Sequence, residues 1–409
     1  MQLLQRNLAT WVEELLTASP VVVIEGARQV GKSTLASMLG TPGTVYASMD
    51  DDVARWQVRE DPVGFLRMAG RGRLVIDEIQ RCPELILPLK AEVDRDRRPG
   101  RFVLTGSANL LRIPRAEDSL AGRAMTARLQ PFTQGELAGR QDDWVSWMLQ
   151  RQRRPVVSAE RSDIVERVVK GGYPPVQSMS PRLRVSWLRD YANRLVERDA
   201  SDVGRAQPEL LRRLLLQLAA MPGAELVLDR LAQELGVGRS AVSSHLELLE
   251  RLFLMHRLPS WSRNLSQRQV QRPKCYLTDS GLAAALSGLD AGHLNSVQGG
   301  EHRGPLLEGF IACELLRQRG WSATHYEVFH YRDRNGSEVD LVIETPKGVI
   351  AVEVKSAVAP AGHHFKHLKA LRDKLGGEFV AGVVLTVGEG WPVGDRLEAL
   401  PVSSLWTHE

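Results

Sequence analysis

Residues 21–34 read VVVIEGARQVGKST. Val21 to Glu25 is a short β-branched run, suited to a strand buried in a parallel sheet. It runs into Gly26-x-x-x-x-Gly31-Lys32-Ser33, after which TLASMLG has helical character. The chemistry of a phosphate loop requires this order. Glycines let successive backbone N–H groups turn inward around phosphate oxygens, and the helix N-terminus adds partial positive charge. Lys32 is placed to reach the β- and γ-phosphates and Ser33 to ligate Mg²⁺. The cradle then comprises Gly26, Ala27, Arg28, Gln29, Val30, Gly31, Lys32, Ser33 and Thr34.

RLVIDEIQ supplies the partner element, with Asp77 and Glu78 ending an apolar strand. Strand ends gather on one edge of a parallel sheet, where ligands bind. Asp77 suits Mg²⁺ and Glu78 suits polarising an attacking water. A third strand, RFVLTGSAN, ends in Thr105, Ser107 and Asn109. Together these motifs resemble an AAA+-type ATPase. The resemblance implies ATP and Mg²⁺ as cofactors, and a polar sensor of the γ-phosphate at Ser107 or Asn109. It also implies an arginine finger, acting in cis or across subunits, in DSLAGRAMTARLQPFTQGEL. Arg123 is the first candidate there, with Arg112, Arg115 and Arg128 as rivals.

The chain has 409 residues, too many for one compact core. With 43% hydrophobic and 25% charged residues, it has the composition of a soluble globular protein. No apolar run approaches a membrane span. In MQLLQRNLATWVEELL the apolar residues recur at helical spacing between charged ones, the mark of an amphipathic helix rather than a secretory signal. Cys82, Cys275 and Cys313 are widely spaced and lack metal-ligand spacing. A reducing, cytoplasmic setting is expected. The net charge of +4 permits nucleic-acid binding without arguing for it. No membrane partner is expected, and a homo-oligomer is left open.

The expected organisation is α/β throughout: an ATPase domain with a parallel sheet (1–138), a helical connector (139–222), a winged-helix-like region (223–300) and an α/β domain (301–409). KGGYPPV (170–176) and WLRDYANRLVERDAS (187–201) resemble the linker of prokaryotic ATPases that join an AAA domain to a C-terminal domain of unknown function. VLDRLAQELGVGRSAVSSHLELLERLFLMHRL fits helix, turn, helix and strand. Its second helix would present Arg239, Ser240, Ser243, Ser244 and His245 outward, toward DNA phosphates or base edges. Arg263, Arg268, Arg272 and Lys274 follow in a stretch without acids, and could add phosphate contacts.

GSEVDLVIETPKGVIAVEVKS, residues 336–356, reads as a β-hairpin turning at Thr345–Gly348. Symmetric closure sets Asp340 against Glu353 and Glu338 against Lys355. Opposed residues lie about 5 Å apart at Cβ, so the two acids would repel unless a cation joined them. Oxygen ligands so close suit a hard ion, Mg²⁺ or Mn²⁺. The spacing Asp-x(12)-Glu-x-Lys resembles the PD-(D/E)xK motif of restriction-endonuclease-like folds, although no proline precedes the acid. The resemblance implies Asp340 and Glu353 as metal ligands, Lys355 as the residue that positions water, and Glu308 as the acid on a preceding helix. Three readings remain open: an active DNA-directed nuclease, a non-cleaving regulatory copy, and a charged hairpin.

Overall fold

The computed structural model describes residues 3–106, 120–150, 156–199, 207–268, 272–333 and 336–407. The chain divides into two compact units, residues 1–130 with 251–253, and residues 131–250 with 254–409.

The first unit is built on β1 (Val21–Glu25), β2 (Val45–Ser48), β3 (Leu74–Asp77), β4 (Phe102–Gly106) and β5 (Ala124–Arg128). They form a parallel sheet in the order β2-β3-β4-β1-β5. Every residue of β1, β3 and β4 is buried, which explains why these strands are continuous apolar runs without alternation. Helix α1 (Leu8–Ala18) buries Leu8, Val12, Leu15 and Leu16, the face set by its helical spacing. Helix α2 (Lys32–Met38) follows the β1 loop, and α3 (Ile86–Arg95) adds Ile86, Leu89 and Val93 to the core. The register brings Glu25, Gly106 and Arg128 level at the carboxyl edge, and Ser48 level with Asp77.

The second unit contains helices α4 (Arg161–Lys170), α5 (Pro181–Arg194) and α6 (Pro208–Ala220). Next come α7 (Leu228–Leu235), α8 (Arg239–Arg251) and the antiparallel pair β6 (Met255–Leu258) and β7 (Lys274–Leu277). Helix α9 (Ser280–Ser287) packs against α4, α5 and α6; its three successive alanines, Ala283 to Ala285, are all buried. The final sheet contains β8 (Glu327–Arg332), β9 (Glu338–Thr345), β10 (Gly348–Lys355), β11 (Phe379–Thr386), β12 (Trp391–Gly394) and β13 (Leu397–Pro401). Its order is β12-β13-β11-β10-β9-β8. Helix α10 (Gly300–Gln318) packs on β10, and α11 (Lys366–Leu375) closes a core around Val342, Ala351, Val384 and Ala399.

A buried ion network organises this unit. Arg317, on α10, donates to Glu314 Oε1 at 3.0 Å, Asp279 Oδ2 at 3.1 Å and the carbonyls of Phe132 and Thr278 at 2.9 Å each. Asp279 also caps α9 through Leu282 N at 3.0 Å and accepts from Gly172 N at 2.7 Å. Gly171 has φ +66°, and a Cβ there would lie 2.1 Å from Asp279 Oδ1, so the glycines of KGGYPPV are required by this junction.

Candidate functional site

The phosphate loop starts where β1 stops. Gly26 has φ +153°, and a Cβ on it would meet Leu129 O at 2.0 Å, so no side chain fits there. Gln29 and Gly31 also have positive φ, at 65° and 97°, which turns the loop before α2. Lys32 is buried and donates to Gly26 O at 3.0 Å and Ala27 O at 2.8 Å. Burial lowers its pKa to about 8, against the raising effect of the Glu78 and Asp77 carboxylates.

Ser33 Oγ lies 2.9 Å from each carboxylate oxygen of Asp77, and Thr105 Oγ1 on β4 donates to the same carboxylate. The Thr105 hydroxyl also accepts from Glu78 N at 3.1 Å. Glu78 sits at φ 55°, a left-handed turn that ends β3, and Gln80 donates to its carboxylate. The Ser33 and Asp77 oxygens form a hard donor set that suits Mg²⁺ beside a phosphate.

Two further groups belong to this edge and escaped the sequence reading. Arg6, buried, donates to Val30 O at 2.7 Å and Gln130 O at 2.6 Å, bracing the back of the loop. The Tyr46 phenol is pushed up by burial, with the Asp77 carboxylate adding to the shift. Neither carries a local signature: Arg6 precedes an ordinary amphipathic helix, and VYAS reads as a short edge strand. Ser107 and Asn109, with Arg112 and Arg115, lie outside the described residues.

Arg123 requires a correction as a finger acting in cis. It immediately precedes β5, where Ala124 is level with Val21, at the amino edge of the sheet. That is about 15 Å from the loop edge, taking about 3.3 Å per strand residue. There it grips Asp94 of α3 at 2.8 and 2.9 Å. Arg128, the rival, ends β5 level with Glu25 and pairs with it at 3.0 Å.

In the second unit, β9 and β10 pair as expected, from Thr345 opposite Gly348 to Leu341 opposite Val352. Beyond that point Asp340 Oδ2 accepts from Val354 N at 2.8 Å. Glu353 is buried, and Lys355 Nζ donates to its Oε1 at 2.6 Å. Glu338 does not hold Lys355. It lies opposite Arg332 of β8, and its carboxylate instead meets Lys274 Nζ at 2.9 Å. Lys274, on β7, also reaches Glu308 Oε1 at 2.9 Å and Asp340 Oδ1 at 3.7 Å. Tyr276 donates to Glu308 at 2.6 Å. Burial, helped by the Asp340 charge, raises both Glu308 and Glu353 to about 7.

These residues do not fit a resident divalent cation. An ammonium already stands among three of the carboxylates, and among the described residues no group of three or more His, Cys, Asp or Glu is arranged to hold a metal. The acids expected from sequence do converge, together with a lysine that was expected elsewhere.

The candidate nucleic-acid residues separate into two groups. Lys274 is engaged in the carboxylate cluster, and Arg268 makes a bidentate pair with Glu344, at 2.8 and 2.6 Å. Both are turned inward, because acids distant in sequence fold against them. His245 is buried as well, against Ala241 O and Gln207 N. Arg239 and Ser240 are exposed on α8, Arg239 beside Asp229 at 3.5 Å, while Ser243 is half-buried. Arg263 and Arg272 line a cleft of about 1270 Å³ with Trp261, Tyr331, Arg332 and Lys374. Lys374 donates to the Tyr331 hydroxyl at 2.9 Å and lies over its ring.

His330 forms one wall of that cleft, with Nε2 on Arg272 O at 3.0 Å and Nδ1 buried without a partner. Burial holds its pKa down to about 4, below its ordinary 6.5. The unfolded chain therefore takes up this proton first as pH falls. The stability it protects is full above about 6.5 and is lost on acidification toward 4. Relative to His330→Gln, the wild type should lose ~3 kcal/mol between pH 7.5 and 4. Urea unfolding at several pH values checks this, and parallel profiles would contradict it.

A glycine-rich loop and an acid pair at the carboxyl edge of a parallel sheet in this order define a P-loop nucleotide-binding fold. Residues 18–138 match the family described as AAA domain, and this part of the chain is an AAA-type ATPase domain. Residues 161–293 and 303–405 match two families described as domains of unknown function, DUF8612 and DUF4143. The uncharacterized protein Rv2008c of Mycobacterium tuberculosis is 27% identical over 411 residues, covering 98% of this chain and 85% of the relative. The uncharacterized protein Mb2031c of Mycobacterium bovis matches with the same values. Among solved structures, the Walker-type ATPase PABY2304 of Pyrococcus abyssi aligns with TM-score 0.40 and 14% identity, covering 69% of this chain and 95% of that one. Among the described residues no helix is long and apolar enough to cross a membrane.

Proposed function

We propose that this protein is a Mg²⁺-dependent ATPase whose nucleotide cycle controls a nuclease-like, DNA-engaging second unit, which does not cut DNA while Lys274 stays in its carboxylate cluster. The observation that carries the ATPase reading is the joint hold of Ser33 and Thr105 on Asp77, beside the buried Lys32. In this reading Lys32 binds the terminal phosphates and Ser33 and Asp77 hold the metal, which supplies charge neutralisation at the phosphates. Glu78, fixed by its backbone bond to Thr105 and by Gln80, orients the attacking water and takes its proton.

DNA engagement is supported by the cleft that carries Arg263, Arg272, Arg332 and Lys374 beside Trp261 and Tyr331. Cations track phosphates, while Trp261 and Tyr331 are buried in the cleft wall. The helix–turn–helix of α7 and α8 with the β6–β7 pair supports a winged helix, with Arg239 and Ser240 on its exposed side. A switch that binds without cutting is the version favoured by the Lys274 ion pairs.

The test is fluorescence anisotropy with single- and double-stranded oligonucleotides, in ATP and in ADP, alongside a gel assay for strand breaks in Mg²⁺. Wild type should bind differently in the two nucleotide states and leave the DNA intact. The double variant Arg272→Glu/Lys374→Glu should bind at least ~10-fold more weakly, with a shallower salt dependence. Unchanged binding by that variant would remove the cleft from the reading, and identical binding in ATP and ADP would remove the switch.

A further inference from the structure

We propose that Lys274 is a built-in counter-cation that takes the place a divalent cation would need among Glu308, Asp340 and Glu353. The inference rests on the nuclease-like reading of the second unit for the identity of the cluster, and it adds the reason that cluster is silent. Lys274 comes from β7, while the acids come from α10 and the β9–β10 hairpin. Its Nζ lies 2.9 Å from Glu308 and Glu338 and 3.7 Å from Asp340, and its side chain is 4% exposed.

Four carboxylates meet here: Glu308, Glu338, Asp340 and Glu353. Lys274 and Lys355 are the cations paired with them. Buried acids at this density require compensating positive charge. The ammonium supplies it at hydrogen-bond distance, whereas Mg²⁺ would draw the same oxygens to about 2.0–2.1 Å. Ammonium and divalent ion therefore compete for one place. An independent observation shows where the metal would gain a ligand. Glu353 is 7% exposed and its Oε2 is buried with no hydrogen-bond partner, while Oε1 is held by Lys355. Withdrawing Lys274 leaves the carboxylates short of charge and one oxygen already free.

The test uses the full chain without nucleotide and Mn²⁺ as the probe, read by electron paramagnetic resonance of free Mn²⁺ and by thermal melting. Lys274→Met removes the ammonium and keeps the side chain to the Cε position. This variant should bind one Mn²⁺ at least ~10-fold more tightly than wild type and melt at higher temperature when Mn²⁺ is added. Adding Asp340→Asn should abolish the gain. Lys274→Gln serves in the same way if the methionine variant does not fold, and a variant that folds only with Mn²⁺ is the same result read through stability. Failure of both variants to gain Mn²⁺ overturns the inference. So does wild-type Mn²⁺ binding that Asp340→Asn removes, since the ammonium would then not be closing the site. Cleavage of DNA by the metal-loaded variant is a separate readout. Its absence would count against the nuclease-like reading and leave the closed cation site standing.

Discussion

Replacing Lys32 by alanine is expected to abolish ATP turnover while leaving the first unit folded. The side chain is 5% exposed, and its ammonium is held by two carbonyls of the loop that would cradle the phosphates. Burial brings its pKa to about 8, so at pH 7 most molecules still carry the charge. A fixed cation in a site shielded from water stabilises charge on a transferring phosphoryl group far more than an exposed one does. Loss of a single preorganised donor of this kind lowers turnover by at least ~100-fold. Lys32→Arg should fail almost as badly, because a planar guanidinium cannot take the place of a compact ammonium within the loop. Phosphate release, measured beside a melting curve, decides the matter. Turnover within tenfold of wild type in a folded Lys32→Ala protein would remove Lys32 from the chemistry.

The second large effect lies far from the nucleotide loop in sequence. Arg317→Ala should destabilise the second unit by about 3–5 kcal/mol, the scale for removing one member of a buried ion network. Arg317 and Glu314 are both nearly inaccessible, and so is Asp279. Removing the guanidinium takes away the cation that the buried Glu314 and Asp279 share. It also removes the hydrogen bonds that Arg317 gives the carbonyls of Phe132 and Thr278. Burial already raises Glu314 to about 8, and loss of the guanidinium beside it would raise it further. Urea unfolding of the full chain, followed by a probe in the second unit, reads this directly. A change below ~1 kcal/mol would mean that hydrophobic packing alone holds α9 and α10.

Much of the first unit was legible because its signals are local. A β-branched run, glycines at fixed offsets and a lysine before the helix describe a loop whose parts lie within fourteen residues. Asp77 could be placed for a similar reason: a carboxylate ending an apolar strand arrives at the same edge as the loop, because all strands of this sheet run parallel. The hairpin of the second unit was legible too, since a two-residue turn sets its register, and the pairing of β9 with β10 follows it. Glu308, on α10, lies in one cluster with Asp340 of that hairpin, joined through Lys274.

The errors concern partners that are distant along the chain. Lys274 and Arg268 sit in a stretch with no acid nearby, so they read as free cations for phosphate. Folding sets Lys274 against Glu308 and Glu338, and Arg268 against Glu344. Arg123, named as a finger acting in cis or across subunits, precedes β5 and so lies at the edge of the sheet opposite the loop. Thr105 lay in the strand first thought to carry the sensor, but its bond to Asp77 depends on β4 lying directly beside β3.

What the sequence determined by itself were the phosphate loop, the two acids that follow it and the register of the C-terminal hairpin. Each depends on backbone geometry over a few residues and on the period of burial along one strand. Only the tertiary structure decided which charges remain available for chemistry. Burial raises the energy of an uncompensated charge, and the compensating partner is supplied by whichever segment the topology brings alongside. For the acids of the hairpin that partner is Lys274, a residue that in linear sequence belongs to a different element.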